Sequence, residues 1–374
     1  MGWTRREFIK AGTLGFGALA TRGFAEAPAD PAEAASGSAD FTRFALGSCL
    51  WDSAAAPVLD VVLAAKPQAF VWLGDNIYGD TRDMALLKSR YQALGDNPRF
   101  KALKTASAQL PIWDDHDYGE NNAGSEYPFR VESQKIFQDF WGVPSSDPRR
   151  SRPGIYHSQV FGTGTRTVQF ILLDGRYHRT ASKSDPNGSM LGTDQWKWLA
   201  DQLKVPAAVR VVCSGIQVVP DEHGFECWNE YPKERQRLYD LIKSTRTPGV
   251  FFVSGDQHWA ELSKAPDVLG YPAYDLTASA LDRTYPLPVN GRRVGAATPD
   301  ANFGFIEIDW EAAAPVIRFQ IRSAVDGKFV LNHAVPISDL RPAGTSLVPR
   351  PSAPPKAGTM RYRGRTLAGR RPAP

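Results

Sequence analysis

Three short apolar runs, each ending in a cluster of metal-ligand side chains, constrain this chain more than any other feature. Ala69 to Leu73 reads Ala-Phe-Val-Trp-Leu and runs into Gly74-Asp75-Asn76-Ile77-Tyr78. Pro111-Ile112-Trp113 runs into Asp114-Asp115-His116-Asp117, and Val250 to Val253 leads to Gly255-Asp256-Gln257-His258. A run without polar alternation belongs to a strand buried on both faces, the setting of a parallel sheet covered by helices. In layered α/β proteins the carboxyl ends of neighbouring strands converge, so ligands far apart in sequence can surround one metal pair. Such a skeleton suits a two-metal hydrolase of phosphate esters. Tyr78, three residues after Asp75, offers a hard anionic phenolate, which favours Fe(III) over softer divalent ions.

The chain between and beyond these runs alternates strands with helices. Phe44 to Leu46, Ile155 to Val160, Thr167 to Leu173 and Val209 to Val212 read as further strands, with Gly162-Thr163-Gly164 as a hairpin-like turn. Helices are expected over Pro57 to Ala65, Met84 to Leu94, Pro98 to Ala108, Ser133 to Trp141, from a cap at Asp194 through Leu203, and over Lys233 to Lys243. From Tyr274 only strands follow, with Phe303 to Asp309 and Val316 to Arg322 forming a meander. The expectation is an α/β protein in which one sheet packs on another with helices outside.

The N-terminus bears on compartment. Thr4-Arg5-Arg6-Glu7-Phe8-Ile9-Lys10 precedes a modestly apolar run, Ala11 to Ala20, and Ala25-Glu26-Ala27 is a small-x-small cleavage site. This pattern is a twin-arginine export signal over 1–27, which implies the export machinery as a partner and a periplasmic or secreted protein. The run falls short of the roughly 20 residues a membrane-spanning helix needs. A linker follows over 28–42, a catalytic domain over 43–340, and a basic, Pro-rich tail over 341–374. The tail's seven Arg, one Lys and no acid contribute +8 and residues 1–27 contribute +2, so the overall +4 leaves a body at −6. That acidic body gives no electrostatic ground for specific nucleic-acid binding. The tail's composition predicts disorder, with weak contact to anionic surfaces as the alternative. Cys49, Cys213 and Cys227 allow at most one disulfide and leave one thiol over. Cys49 follows the strand ending at Gly47, where a first ligand would lie, although a buried structural cysteine is the commoner fate of such a residue.

Taken together, Gly47-Ser48-Cys49, Gly74-Asp75-x-x-Tyr78, Trp113-Asp114-Asp115-His116-Asp117, Leu173-Asp174-x-Arg176, Trp228-x-x-Tyr231-Pro232, Gly255-Asp256-x-His258 and Asn302-Phe303-Gly304 resemble the alkaline phosphatase D family of calcineurin-like metallophosphoesterases. The resemblance implies a four-layer αββα metallophosphatase sandwich, Fe(III) partnered by one or two Ca²⁺, and activity on phosphomonoesters and phosphodiesters. It puts Cys49, Asp75, Tyr78 and His258 on iron, and Asp75, Asp115 and Asp256 on the second metal. Asp75 is then the bridge, since two carboxylate oxygens span metals about 3.5 to 4 Å apart. Carboxylates at 115 and 256, where zinc or manganese members of the superfamily use Asn or His, point to calcium. Asn121 and Asn122 either complete its shell or form a turn, and Asp114 is expected to support the site or cap a helix. Family members carry an additional β-domain before the catalytic domain, whereas only about fifteen residues separate Ala27 from the first strand here, so the chain reads as a short form.

The expected mechanism has a metal-bound hydroxide attacking phosphorus in line with the leaving oxygen. His116 would protonate the leaving group or contact the phosphate, and Arg176, with Arg179, would clamp its non-bridging oxygens. Trp228 and Tyr231 either wall the cleft or belong to an aromatic core; His157, His178, His223 and His333 read as structural or exposed. No phosphate-cradling P-loop, dinucleotide fingerprint or serine-centred elbow is present, which disfavours nucleotide-dependent transfer. Two rival readings are a phospholipase D-like enzyme acting on membrane lipids and a catalytically idle periplasmic protein that binds metal or phosphate.

Overall fold

The computed structural model describes residues 40–180 and 188–345. The export signal, most of the linker and all but the first residues of the tail lie outside them. Within the described residues the chain runs β1 (Arg43–Gly47), α1 (Val58–Ala64), β2 (Ala69–Leu73), α2 (Met84–Asp96), α3 (Pro98–Ala106), β3 (Ala108–Ile112), α4 (Asp115–Tyr118) and α5 (Arg130–Phe140). It continues through β4 (His157–Phe161), β5 (Val168–Leu172), α6 (Gly192–Gln202), β6 (Val209–Ser214), α7 (Pro232–Ser244), β7 (Val250–Ser254), β8 (Ala260–Ala265), β9 (Ala273–Ala278), β10 (Asn302–Asp309), β11 (Val316–Ser323) and β12 (Phe329–Pro336).

Two six-stranded mixed sheets result, ordered β12-β11-β10-β1-β2-β3 and β4-β5-β6-β7-β9-β8. In each, one run of neighbouring strands is parallel, β1-β2-β3 in one and β5-β6-β7-β9 in the other. The predominantly apolar runs predict this: β2, β5, β6 and β7 are buried along their whole length. Antiparallel strands complete the sheets, β10 to β12 as a meander on β1. Aromatic rings join the two sheets edge to face, Phe44 with Phe170 at 4.8 Å and Phe251 with Phe319 at 5.0 Å between centroids.

Outside the sheets lie the helices. Trp72 of β2 turns its ring toward Phe100 of α3 and Trp141 after α5, and Tyr239 of α7 lies on Phe252 of β7. Trp72→Ala would remove a fully buried ring under the first helical layer, a change that costs about 3–5 kcal/mol. The architecture is the expected αββα sandwich.

One local expectation is corrected, and two strands lie beyond those expected. Asp194 does not cap its helix: α6 begins at Gly192, and Asp194 sits in the first turn, where a carboxylate still meets the positive end of the helix dipole. β8 and β12 were not evident, because both are edge strands whose charged or half-exposed residues blur the alternation. Glu261 on β8 is buried and paired with Arg293 at 2.8 Å.

Candidate metal centre

Every parallel strand delivers its residues to the same edge of the sandwich. β1 leads to Cys49, β2 to Asp75 and Tyr78, β3 to Asp114 and Asp115, β7 to Asp256 and His258, and β9 to Ser279. Cys49, Asp75, Asp256 and His258 all have left-handed backbone conformations, with φ of 60°, 49°, 71° and 63°. Non-glycine residues in that region store strain, which clusters where a fold must aim a side chain. Space at the strand ends is made by glycines: a Cβ on Gly74 would come within 2.3 Å of the Asp114 Cβ, and one on Gly215 within 2.3 Å of Asp114 Oδ1.

Four expected ligands converge on one point. Cys49 Sγ lies 3.5 Å from Asp75 Oδ2, Tyr78 Oη lies 3.3 Å from the same oxygen, and Tyr78 Oη is 3.2 Å from His258 Nε2. Ser279 Oγ stands 3.2 Å from the Cys49 sulfur and accepts the His258 backbone N–H at 3.0 Å, so one hydroxyl positions two donors. The other oxygen of Asp75, Oδ1, turns to the backbone N–H of His116 at 3.4 Å, beside Asp115. Cys49, Asp75 and His258 form one group able to hold a cation, and Asp75, Asp115 and His116 form a second that shares the Asp75 carboxylate. Asp256 falls into a third group, with Asp114 and Glu226.

Charge balance separates the groups. Burial, reinforced by the charges of Asp115 and Asp114, pushes Asp75 well above the carboxylate range. Asp256 is driven up by burial and by Asp114 and Glu226, and Cys49 by burial and Asp75. Tyr78 is also pushed far up, by burial first, while burial and Arg283 bring His258 down to about 4. Each shift favours the neutral form, and a cation at their centre would reverse it. Thiolate, phenolate, carboxylate and imidazole together form a donor set that fits a transition-metal ion, and the carboxylates beyond Asp75 fit a harder one.

Asp115 behaves differently. Burial opposes its ionisation, but Arg176, His116 and the Asn122 N–H, which Oδ2 accepts at 2.6 Å, outweigh burial and hold it at about 2. Asn122 therefore acts through its main chain, while its side chain is exposed. Arg176 does not reach toward solvent as a phosphate clamp would. Its guanidinium is fully buried, forked onto both oxygens of Asp114 at 2.6 and 2.7 Å and onto Glu226 at 2.6 Å. Arg179 is likewise buried against Glu226 at 2.7 Å. Asp114, pushed up to about 6 by burial against the pull of Arg176, is the counter-ion of this cluster.

The neighbours of these candidate ligands in the motifs serve as braces. Asp117 accepts the backbone N–H groups of Asp114 at 2.6 Å and of Asp75 and Asn76 at 3.2 Å, locking the β2 and β3 ends together. The Asn76 side chain donates to Asp117 at 2.6 Å and to the Ile112 carbonyl at 2.8 Å; that of Gln257 donates to the Glu226 carbonyl at 2.7 Å. Trp228 is fully buried and bonded to Ser214, and the Tyr231 hydroxyl donates to the Thr180 carbonyl at 2.6 Å, so this pair belongs to the core.

Reasoning from sequence missed Glu226 and Asp80. His116 Nδ1 lies 2.6 Å from Asp80 Oδ1, and its ring lies tilted against that of Tyr78, 4.4 Å between centroids. Burial pulls the His116 pKa down, but Asp80 and Asp115 outweigh it and leave the imidazole above its usual value. Glu226 follows no strand and so carried no signal, whereas Asp80, two residues past Tyr78, fell just outside a motif already recognised.

Known proteins resemble the chain in sequence and in fold. The family model for PhoD-like phosphatases matches residues 44–281. Alkaline phosphatase D of Bacillus subtilis (strain 168) is 25% identical over 209 residues, covering 46% of this chain and 35% of that protein. The chain thus spans about a third of the curated relative it matches. Among solved structures, PhoD superposes with a TM-score of 0.63 at 16% identity, over 83% of this chain and 73% of its own. A dimetal phosphatase from Danio rerio superposes with a TM-score of 0.50 at 14% identity, over 79% of this chain and 100% of its own. At these identities the superpositions speak for the fold.

Proposed function

The chain belongs to the PhoD-like phosphatase family, and from that premise we propose that it is a metal-dependent hydrolase of phosphate esters with Fe(III) and calcium at its centre. The observation that carries this reading is the meeting of Cys49, Asp75, Tyr78 and His258 from three strand ends, with Asp75 offering its second oxygen to the Asp115 side. Cys49, Asp75, Tyr78 and His258 would hold the iron, and Asp75, Asp115 and Asp256 the calcium. When bound, the pair supplies an acidified water as nucleophile and positive charge for the phosphoryl oxygens.

The chain's own groups do the rest. Asp80 engages Nδ1 of His116, which leaves Nε2 to deliver a proton to the departing oxygen. Asp117 and Ser279 keep the ligand-bearing turns in register, so the donors are preorganised rather than gathered by the substrate. Arg176 neutralises Asp114 and Glu226 and thereby keeps Asp115 ionised. Export by the twin-arginine route to the periplasm or medium belongs to the same reading and rests on Arg5-Arg6 and Ala25-x-Ala27. Among the described residues, no helix is long and apolar enough to cross a membrane.

The test is hydrolysis of a chromogenic phosphomonoester and a phosphodiester by wild type, Asp75→Asn and Tyr78→Phe, with metals quantified and visible spectra recorded on the same samples. Turnover in wild type, its loss in Asp75→Asn, and a tyrosinate-to-iron charge-transfer band that vanishes in Tyr78→Phe are expected. A wild type that carries both metals yet turns over neither ester would sink the proposal; a colourless, active enzyme holding zinc or manganese would remove the iron from it.

A further inference from the structure

Arg283, beside Tyr78, has no carboxylate partner among the described residues. Among the described residues, Arg176 and Arg179 are paired with Glu226, Arg292 with Asp221 and Arg293 with Glu261. Arg283 instead rests on two aromatic faces, its guanidinium carbon 4.3 Å from the ring centre of Trp51 and 4.8 Å from that of Tyr78. Its guanidinium makes no hydrogen bond or ion pair among the described residues. Trp51 is 59% exposed, an unusual state for a tryptophan, and its ring lies 4.9 Å from Tyr78.

The pair is held in place by backbone bonds. Asp282 accepts the N–H of Asp52 at 2.7 Å and that of Trp51 at 2.5 Å, and the Leu281 N–H donates to Ser48 at 3.1 Å. Tyr285, exposed and in edge contact with Phe225, hangs from the same segment through its N–H to the His258 carbonyl at 2.8 Å. A stacked guanidinium keeps its N–H edge available, and that planar edge matches the non-bridging oxygens of a phosphate. A tryptophan face open to solvent offers a platform for a flat, apolar group at little entropic cost.

We propose that Arg283 takes the phosphate oxygens and Trp51 the leaving group, so that the preferred substrates are phosphate esters of alcohols carrying an aromatic ring. The assignment rests on the phosphoesterase reading, and it gives Arg283 the contact that burial denies to Arg176.

The experiment uses the metal-loaded full chain as wild type, Arg283→Gln, Arg283→Lys and Trp51→Ala. Phosphate affinity is measured by calorimetry, hydrolysis with a matched pair of aryl and alkyl esters, and melting temperature and metal content on each sample. Arg283→Gln is expected to weaken inorganic phosphate about tenfold or more and to raise KM for both esters, with metal content and melting temperature unchanged, and Arg283→Lys to recover part of the loss. Trp51→Ala is expected to leave phosphate affinity alone and to reduce the preference for the aryl ester about fivefold or more. Unchanged phosphate affinity in Arg283→Gln, or a loss that appears only together with lost metal, overturns the role of Arg283. An unchanged ester preference in Trp51→Ala overturns that of Trp51. A wild type that binds phosphate through Arg283 yet cleaves neither ester sinks the phosphoesterase reading and leaves the phosphate contact standing.

Discussion

Two acidic clusters lie side by side at this sandwich edge, and they solve the same electrostatic problem in opposite ways. Around Asp114 and Glu226 the chain supplies its own cations, Arg176 and Arg179, and the result is a closed network of charge-assisted hydrogen bonds at 2.6–2.7 Å. Around Asp75 no cation pairs with the acidic groups among the described residues: thiol, phenol and carboxylate crowd within 3.3–3.5 Å, and Arg283 touches only the ring of Tyr78. Burying uncompensated charge is among the costliest things a fold can do. A sequence that neutralises one cluster internally and leaves the next bare reserves the second for an external cation.

The strongest way to break this contrast is at the shared carboxylate. Asp75→Asn removes the one group with an oxygen facing each side, and activity should fall by about a thousandfold or more, with metal lost from both sites. Retention of both metals would mean that Asp75 is no bridge. On the other side, Arg176→Met strips the internal cation from Asp114 and Glu226 and should cost about 3–5 kcal/mol in chemical denaturation, since it strands buried carboxylates. A loss below about 1 kcal/mol would show that water or a metal already shares their charge.

Removing the metals should sharpen the contrast through pH. Chelation should lower stability by about 2–3 kcal/mol at neutral pH, the linkage expected for a cation held at a hundred times its dissociation constant. In the metal-free protein Asp75 and Asp256 are held well above the carboxylate range, chiefly by burial, with Asp114 at about 6 and Asp117 at about 7. A folded-state pKa above the unfolded value gives stability that is full below the unfolded pKa and lost as pH rises through the folded one. Metal-free protein should therefore melt higher at pH 5 than at pH 7.5, and metal-loaded protein should not. Equal melting temperatures at both pH values in the metal-free protein would count against an uncompensated acidic cluster.

The bare cluster was more legible in the sequence than the neutralised one, for a physical reason. Cys49, Asp75, Tyr78 and His258 follow apolar strands within a few residues, and the parallel topology of β1, β2 and β7 turns that local pattern into proximity. Glu226 lies in the long excursion between β6 and α7, and its approach to Asp256 depends on loop packing that no local pattern encodes. For Arg176 the position was legible and the surroundings were not: sequence placed it at the end of β5, but whether it met a substrate or a carboxylate turned on Glu226. The edge strands β8 and β12 escaped notice for the converse reason: β8 buries a glutamate and carries a lysine, and β12 is buried on one side only, so neither reads as an apolar run.

The smallest effect tests how far the contrast extends to His116, which stands between Asp115 and the half-exposed Asp80. Asp80→Asn keeps an acceptor near Nδ1 but removes the charge, whereas Asp80→Ala removes both. Because Asp80 raises the His116 pKa, both variants should shift the alkaline limb of the rate profile to lower pH, as the proton needed by the leaving oxygen is lost sooner. The fall in kcat should be about tenfold for Asp80→Ala and smaller for Asp80→Asn, in keeping with an outer partner that orients rather than reacts. If the two variants fall equally, the charge matters and the hydrogen bond does not. If neither moves the alkaline limb, the proton reaches the leaving group by another route, and His116 belongs with the groups that only brace the centre.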